Sequence, residues 1–214
     1  TSGSGTLNIQ DSILCDNLNT VNGDSLGSYK IIEGSSQTDF RVTNSKICNN
    51  QQSAIGIYSW QSQNTTASIE NTIISNNGST RDGAGIYVYA SRSKLDLNII
   101  NSSIVDNKSQ GAGGGILVYA SNESELNLSV SNSTISNNHA GFELTDENVS
   151  EVLGGGLLSV SRSNSIISMD INNTTISYNT SHGLGGGIAA YDGDSDVTTN
   201  IQVNNSIIAN NASG

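Results

Sequence analysis

The heptapeptide NSTISNN, residues 132–138, occurs in seven related copies along this chain of 214 residues. The last Asn residues of successive copies are separated by 33, 27, 30, 31, 41 and 32 residues. Every copy has Asn or Asp first, Ser or Thr second, Ile or Leu fourth and Asn last. The other copies are DSILCDN (11–17), NSKICNN (44–50), NTIISNN (71–77), NSSIVDN (101–107), NTTISYN (173–179) and NSIIANN (205–211). A fixed period of about 30 residues indicates stacked repeats.

The residues before each heptapeptide alternate between apolar and polar types. Leu128-Ser129-Val130 and Met169-Asp170-Ile171 are two examples. Because successive side chains of a strand point to opposite faces, this alternation predicts a strand with one buried face.

Glycines introduce a second strand in most repeats. Gly allows positive φ and close approach of neighbouring backbones. None of these glycine stretches opens a helix, so they do not indicate a nucleotide-binding loop. The stretches are AIGIY (54–58), GAGIY (83–87), GGGIL (113–117), GGGLL (154–158) and GGGIA (185–189). Placing their last Gly in register makes Ile57, Ile86, Ile116, Leu157 and Ile188 equivalent.

Each repeat is therefore predicted to contain two long strands and a short one around the heptapeptide Ile, which makes the whole chain all-β. Such units stack as a parallel, right-handed β-helix, a solenoid of about seven coils of roughly 30 residues. At ~4.8 Å between paired strands, the rod would be about 34 Å long. The heptapeptide Ile would form a core ladder, and the Asn residues would occupy corners, where left-handed backbone is tolerated. Residues 1–214 are expected to form one domain, a segment of a longer array.

The composition excludes several classes of partner. The net charge is −11, with only eight Lys and Arg residues. An acidic surface repels nucleic-acid phosphate, acidic polysaccharides and anionic lipid. No apolar run approaches the roughly 20 residues needed to span a bilayer. We therefore expect no nucleic-acid partner and no membrane span in this segment.

The repeats resemble those of chlamydial polymorphic outer-membrane proteins and related bacterial surface proteins. Those proteins carry Gly-Gly-Ala-aliphatic and Phe-x-x-Asn phrases. Here the first phrase reads GAGI (83–86), GGGI (113–116), GGGL (154–157) and GGGI (185–188). The second has Ile in place of Phe and reads Ile74-Ser-Asn-Asn77, Ile104-Val-Asp-Asn107 and Ile135-Ser-Asn-Asn138. The resemblance covers nearly the whole chain and implies an autotransporter-like β-helix that acts in adhesion at a cell surface.

Residues two and four positions after the landmark Gly are expected to point outward. They form an aromatic and aliphatic column: Tyr58 and Trp60, Tyr87 and Tyr89, Leu117 and Tyr119, Leu158 and Val160, Ala189 and Tyr191. Aromatic faces bind sugar rings, and exposed apolar patches mark contact sites. The alternatives are the ordinary preference of strands for such residues and cover by a loop or a neighbouring domain.

Two acidic segments interrupt the repeat. The insertion at 139–153 adds about ten residues and carries Glu143, Asp146 and Glu147, which are candidates for partner contact. Long insertions often make contacts, although they are equally often plain surface loops. Asp192, Asp194 and Asp196 alternate in a turn, an arrangement that can hold Ca²⁺ or form a solvated turn.

Cys15 and Cys48 lie two residues before the last Asn of adjacent heptapeptides. Their predicted rung spacing of about 4.8 Å fits a disulfide, with two buried thiols as the alternative. Such a bond would favour an oxidising, extracellular location. Asn-x-Ser/Thr sites are possible glycan acceptors in a secreted protein. Examples are Asn64, Asn77, Asn122, Asn148 and Asn211.

Catalytic patterns are sparse. His139, His182 and Glu143 could form an acid-base cluster, but turn histidines without a function are far more common. We therefore expect a non-enzymatic extracellular module for adhesion or surface display, which contacts a host or neighbouring cell, a glycan or another copy. One alternative is a filament subunit assembled by rod stacking. The third is a carbohydrate-active β-helix enzyme.

Overall fold

The computed structural model describes residues 5–17, 30–35, 38–61, 64–142 and 153–214. These residues form four parallel sheets that wind into a solenoid of about six turns of about 31 residues. The predicted all-β, parallel fold class is confirmed. Within the described ranges, seven rungs are present in each of the two sheets that lie before and within the heptapeptides.

The first two sheets come before and within the heptapeptide. Sheet 1 consists of β1 (Gly5–Gln10), β4 (Thr38–Thr43), β7 (Asn64–Glu70), β11 (Lys94–Ile100), β15 (Glu125–Ser131), β19 (Ile166–Asn172) and β23 (Thr198–Asn204). Sheet 2 consists of β2 (Ile13–Cys15), β5 (Lys46–Cys48), β8 (Ile73–Ser75), β12 (Ser103–Val105), β16 (Thr134–Ser136), β20 (Thr175–Ser177) and β24 (Ile207–Ala209).

The other two sheets follow the heptapeptide. Sheet 3 is narrow and consists of β9 (Gly78–Ser79), β13 (Lys108–Ser109), β17 (His139–Ala140), β21 (Thr180–Ser181) and β25 (Ala212–Ser213). Sheet 4 consists of β3 (Lys30–Ser35), β6 (Ser53–Trp60), β10 (Ile86–Ser91), β14 (Ile116–Ser121), β18 (Leu157–Ser161) and β22 (Ile188–Asp192).

One apolar core runs through the coils. Alternate residues of sheet 1, such as Leu126, Leu128 and Val130, are buried, as the alternation predicted. The fourth residue of the heptapeptide is completely buried in five successive rungs: Ile47, Ile74, Ile104, Ile135 and Ile176. Because these residues repeat at one rung spacing, each coil buries its apolar face only against its neighbours.

The heptapeptide makes two corners and a buried amide ladder. Its first and sixth residues have left-handed backbone, with φ of 50° at Asn132 and 55° at Asn137. Asn tolerates this conformation better than most residues. The last residue, Asn138, is buried and bonds to Asn107 on one side and Asn179 on the other. The corners thus lie at the first and sixth positions, and the Asn at the seventh position stacks along the axis inside the solenoid.

The register of β6 differs from the prediction. Ile55, and not Ile57, pairs with Ile86, while Gly56 pairs with Tyr87. The expected equivalence fails because β6 runs unbroken from Ser53 to Trp60, whereas β10 begins only after its glycine turn. Tyr58 consequently lies beside Tyr89, and Trp60 lies beside Ser91.

Candidate functional site

An aromatic surface lies on the outer face of sheet 4. We define it as the six side chains that the sequence singled out: Tyr58, Trp60, Tyr87, Tyr89, Tyr119 and Tyr191. Strand pairing places four of them in one column, which reads Tyr58, Tyr89, Tyr119, Val160, Tyr191 from rung to rung. The parallel register thus brings residues more than 130 positions apart onto one face.

Neighbouring rings contact each other across the rungs. The ring centroids of Trp60 and Tyr89 are 4.8 Å apart, and Tyr89 stacks on Tyr119 at 5.3 Å with an interplanar angle of 29°. The Arg162 guanidinium lies 5.5 Å from the ring centroid of Tyr191. Stacked rings and cation–π contacts hold aromatic side chains in fixed orientations. The rings therefore support one another's positions on this face.

Part of the expected outward column is buried. Leu117, Leu158 and Val160 are 2%, 1% and 8% exposed. They form a second apolar cluster, which Ala112 and Leu153 from the glycine turns help to cover. The prediction that these three residues face solvent is wrong, because strand alternation identifies the face but not the turn that folds over it.

The turns reach this cluster because glycine removes a side chain at the contact. A Cβ at Gly113 would lie 2.6 Å from the Cβ of Leu117, and one at Gly154 would lie 2.5 Å from the Cβ of Leu158. The open part of the face is left to Trp60 and Tyr191, 44% and 41% exposed, and to the half-buried tyrosines.

Burial favours the neutral form of two phenols of this surface. Desolvation raises the pKa of Tyr87 and also that of Tyr119 above the ordinary value for tyrosine. The hydroxyl of Tyr89 lies 3.1 Å from Ser121 Oγ. A neutral phenol both donates and accepts hydrogen bonds, so the surface combines apolar ring faces with polar groups at their rims.

The Asp-rich turn does not gather its carboxylates into a metal site. Asp192 Oδ1 accepts a hydrogen bond from the Thr199 hydroxyl at 2.6 Å, and Asp194 Oδ2 accepts one from the Ser163 backbone N–H at 2.6 Å. Asp196 is exposed. The described ranges contain no group of three His, Cys, Asp or Glu side chains that could hold a metal ion.

The predicted acid-base cluster is only partly described. His139 pairs in register with Thr180, whose hydroxyl lies 2.6 Å from His139 Nδ1. Burial, with the positive charges of Lys108 and His182, lowers the pKa of His139. Glu143, Asp146, Glu147 and Asn148 lie outside the described residues.

The predicted disulfide is confirmed. Cys15 and Cys48 are neighbours in sheet 2, with their Cα atoms 4.5 Å apart, and their sulfurs are bonded. A disulfide indicates an oxidising environment. No helix long and apolar enough to cross a membrane occurs in the described ranges.

The predicted glycan acceptors occupy different environments. Asn64 and Asn122 are exposed. Asn77 is 1% exposed, and its Nδ2 donates to Ile47 O and Asn107 Oδ1, so glycosylation there would require it to leave the ladder. Asn211 is partly buried in the same ladder.

Comparison with known proteins finds no matching family model, no matching curated protein and no matching solved structure. The aromatic surface is therefore identified as a candidate site from the sequence and the structure alone.

Proposed function

We propose that this chain is a non-enzymatic β-solenoid module for adhesion or display at a cell surface, and that the aromatic surface of sheet 4 is its contact site. The observation that carries the proposal is this ordered group of rings on the outside of the solenoid. These six side chains are not part of the continuous apolar core, which lies inside the coils. Ring faces with polar rims suit sugar rings on another cell. The disulfide supports an extracellular location.

The test is binding to a glycan array by the wild-type chain and by Trp60→Ala, Tyr89→Ala and Tyr119→Ala. We expect each substitution to weaken a wild-type hit, because truncating an aromatic anchor removes contact area. Tyr178→Asn is the matched control. Tyr178 is exposed at a sheet 2 corner with φ of 56°, where most other copies have Asn. A hit that survives the three surface substitutions would refute the aromatic contact site.

The second candidate function is a filament subunit, either side by side through the aromatic surface or by rod stacking. Ile201 and Val203 on β23 are partly exposed, and a further rung from the same or another chain would cover them. Light scattering across a concentration series tests this alternative. A protein that stays monomeric at all concentrations would exclude assembly by this segment.

The third candidate, a carbohydrate-active enzyme, has weaker support. Asp96 on β11 and Asp170 on β19 are carboxylates of sheet 1. They lie two rungs apart, which is about 10 Å along the axis, and in different columns. By backbone position the pair is therefore wider than the roughly 5–9.5 Å between the paired carboxyls of glycosidases. Turnover of a neutral or basic glycan would revive the candidate.

A further inference from the structure

A polar groove crosses the outer face of sheet 1, on a different sheet from the aromatic surface. Its volume is about 830 Å³, and all its lining residues belong to β7, β11, β15, β19 and β23. Four rung spacings of about 4.8 Å make it roughly 19 Å long along the solenoid axis. A ligand that fills it is therefore extended and runs along the rod.

Two polar columns form its floor, in register from rung to rung. One reads Asp96, Asn127, Ser168, Asn200, and the other reads Asn98, Ser129, Asp170, Gln202. Each rung thus presents two polar side chains drawn from amides, hydroxyls and carboxylates. A regular polymer meets similar groups at each step along this ladder.

Much of the hydrogen-bonding capacity of this floor is unused by the protein. Within the described part of the chain, these side chains make no hydrogen bond: Asn98, Ser129, Ser168, Asn200 and Gln202. Asn127 Nδ2 donates to Asp96 Oδ1 at 2.7 Å and to Glu125 Oε1 at 3.0 Å, while its Oδ1 accepts no hydrogen bond from the described residues. Amides and hydroxyls can donate and accept, so they suit the hydroxyl groups of sugars.

Charge selects among polymers. The lining includes two carboxylates and no Lys or Arg among its described residues. The protein as a whole carries a net charge of −11. Polyanions such as nucleic acids and acidic polysaccharides are therefore repelled. We propose that the groove binds a neutral, linear polysaccharide along the solenoid axis through its amide and hydroxyl columns.

Isothermal titration calorimetry with cello-, laminari- and malto-oligosaccharides long enough to span the groove tests this proposal. We expect at least one series to bind and polygalacturonate not to compete. Asn98→Ala combined with Asn200→Ala should weaken binding at least about tenfold, since each lost hydrogen bond contributes about 1 kcal/mol. Ser129→Arg should abolish binding by filling the centre of the groove. Far-UV circular dichroism confirms that each variant keeps its strands.

Two controls separate this site from its surroundings and from the proposed function. Asn204→Ala changes an exposed Asn at the end of β23, outside the groove, and should leave binding unchanged. Tyr119→Ala removes a ring of the aromatic surface on sheet 4, so oligosaccharide binding that this variant loses is assigned to that surface and not to the groove. The proposal is overturned if none of the neutral series binds, if the groove variants bind like wild type, or if Tyr119→Ala alone removes binding.

Discussion

Asn138 shows why the last residue of the heptapeptide is Asn in every copy. Its Nδ2 donates to Ile104 O at 2.9 Å and to Asn179 Oδ1 at 3.0 Å. Its Oδ1 accepts from the backbone N–H and the side-chain amide of Asn107, both at 3.0 Å. Among short side chains only Asn offers two donors and an acceptor. The motif is therefore a structural device, and a binding role should be sought on the outward columns.

Replacing Asn138 with Ala should lower the free energy of unfolding by about 2–4 kcal/mol. The substitution leaves buried donors and acceptors on both neighbouring rungs without partners, and each such group costs about 1–3 kcal/mol. Urea unfolding measures the change. Ser136→Ala on β16 is the control and should stay within about 0.5 kcal/mol. A loss no larger than that of the control would contradict the ladder's role.

The glycine turn gives a second test at the residue scale, with a control in the same protein. A Cβ on Gly115 would lie 2.5 Å from Gly156 O and 2.9 Å from the Asn138 amide nitrogen. Gly115→Ala should therefore destabilise the fold by roughly 2 kcal/mol or more. A Cβ on Gly78 would make only ordinary van der Waals contacts, with Asn50 O nearest at 3.8 Å, so Gly78→Ala should be nearly neutral. Equal effects in thermal unfolding would refute the close-packing argument.

At the scale of elements, the sequence predicts best where one periodicity decides the outcome. Alternation in β11, β15 and β19 placed the buried face correctly, and heptapeptide spacing placed Cys15 beside Cys48. The register of β6 was missed because AIGIY lacks the glycine turn that aligns the other copies. Burial of Leu117 and Leu158 was missed because it depends on a turn folding over them. The sheet 1 groove needed several strands side by side before its columns were visible.

The disulfide joins β2 to β5 and should stabilise the first rungs. The two cysteines are 33 residues apart in sequence. For a loop of this length, the lower entropy of the unfolded chain predicts a stabilisation of about 3–4 kcal/mol. Because a solenoid couples nearest neighbours, we expect Cys15→Ser with Cys48→Ser to increase hydrogen exchange in β1 and β2. Exchange in β14 and β15 should stay unchanged. Uniform acceleration along the chain would contradict this local effect.

His139 in sheet 3 has a pKa that the fold shifts, so it should make stability depend on pH. The pKa of His139 is lower in the fold than in the unfolded chain, chiefly because of burial. The unfolded state therefore binds more protons, and the stability present above the ordinary pKa of about 6.5 is lost as the pH falls through the folded pKa. When the pH is lowered from about 7 to about 5, the midpoint temperature of thermal unfolding should fall less steeply in His139→Gln than in wild type. Parallel slopes would exclude His139 as the cause.

The whole molecule carries far more negative than positive charge, with 19 Asp and Glu residues against eight Lys and Arg residues. The described residues contain one ion pair, Lys94 with Glu125, at 2.8 Å and largely exposed, so its contribution is small. Self-repulsion therefore acts across neighbouring coils, within the Debye length of about 30 Å at 0.01 M salt. Charge does not select the fold, but it lowers the stability of the compact rod.

Raising NaCl from about 0.01 M to about 0.15 M should therefore raise the thermal midpoint, because the Debye length falls to about 8 Å. The matched variant combines Asp16→Asn with Asp106→Asn. Both residues have left-handed backbone at the sixth heptapeptide position, where Asn stands in other copies, so the change removes two charges without a new conformation. This variant should have a higher midpoint at low salt and a weaker salt dependence. A midpoint that falls with salt would show that attraction between charges dominates in this solenoid.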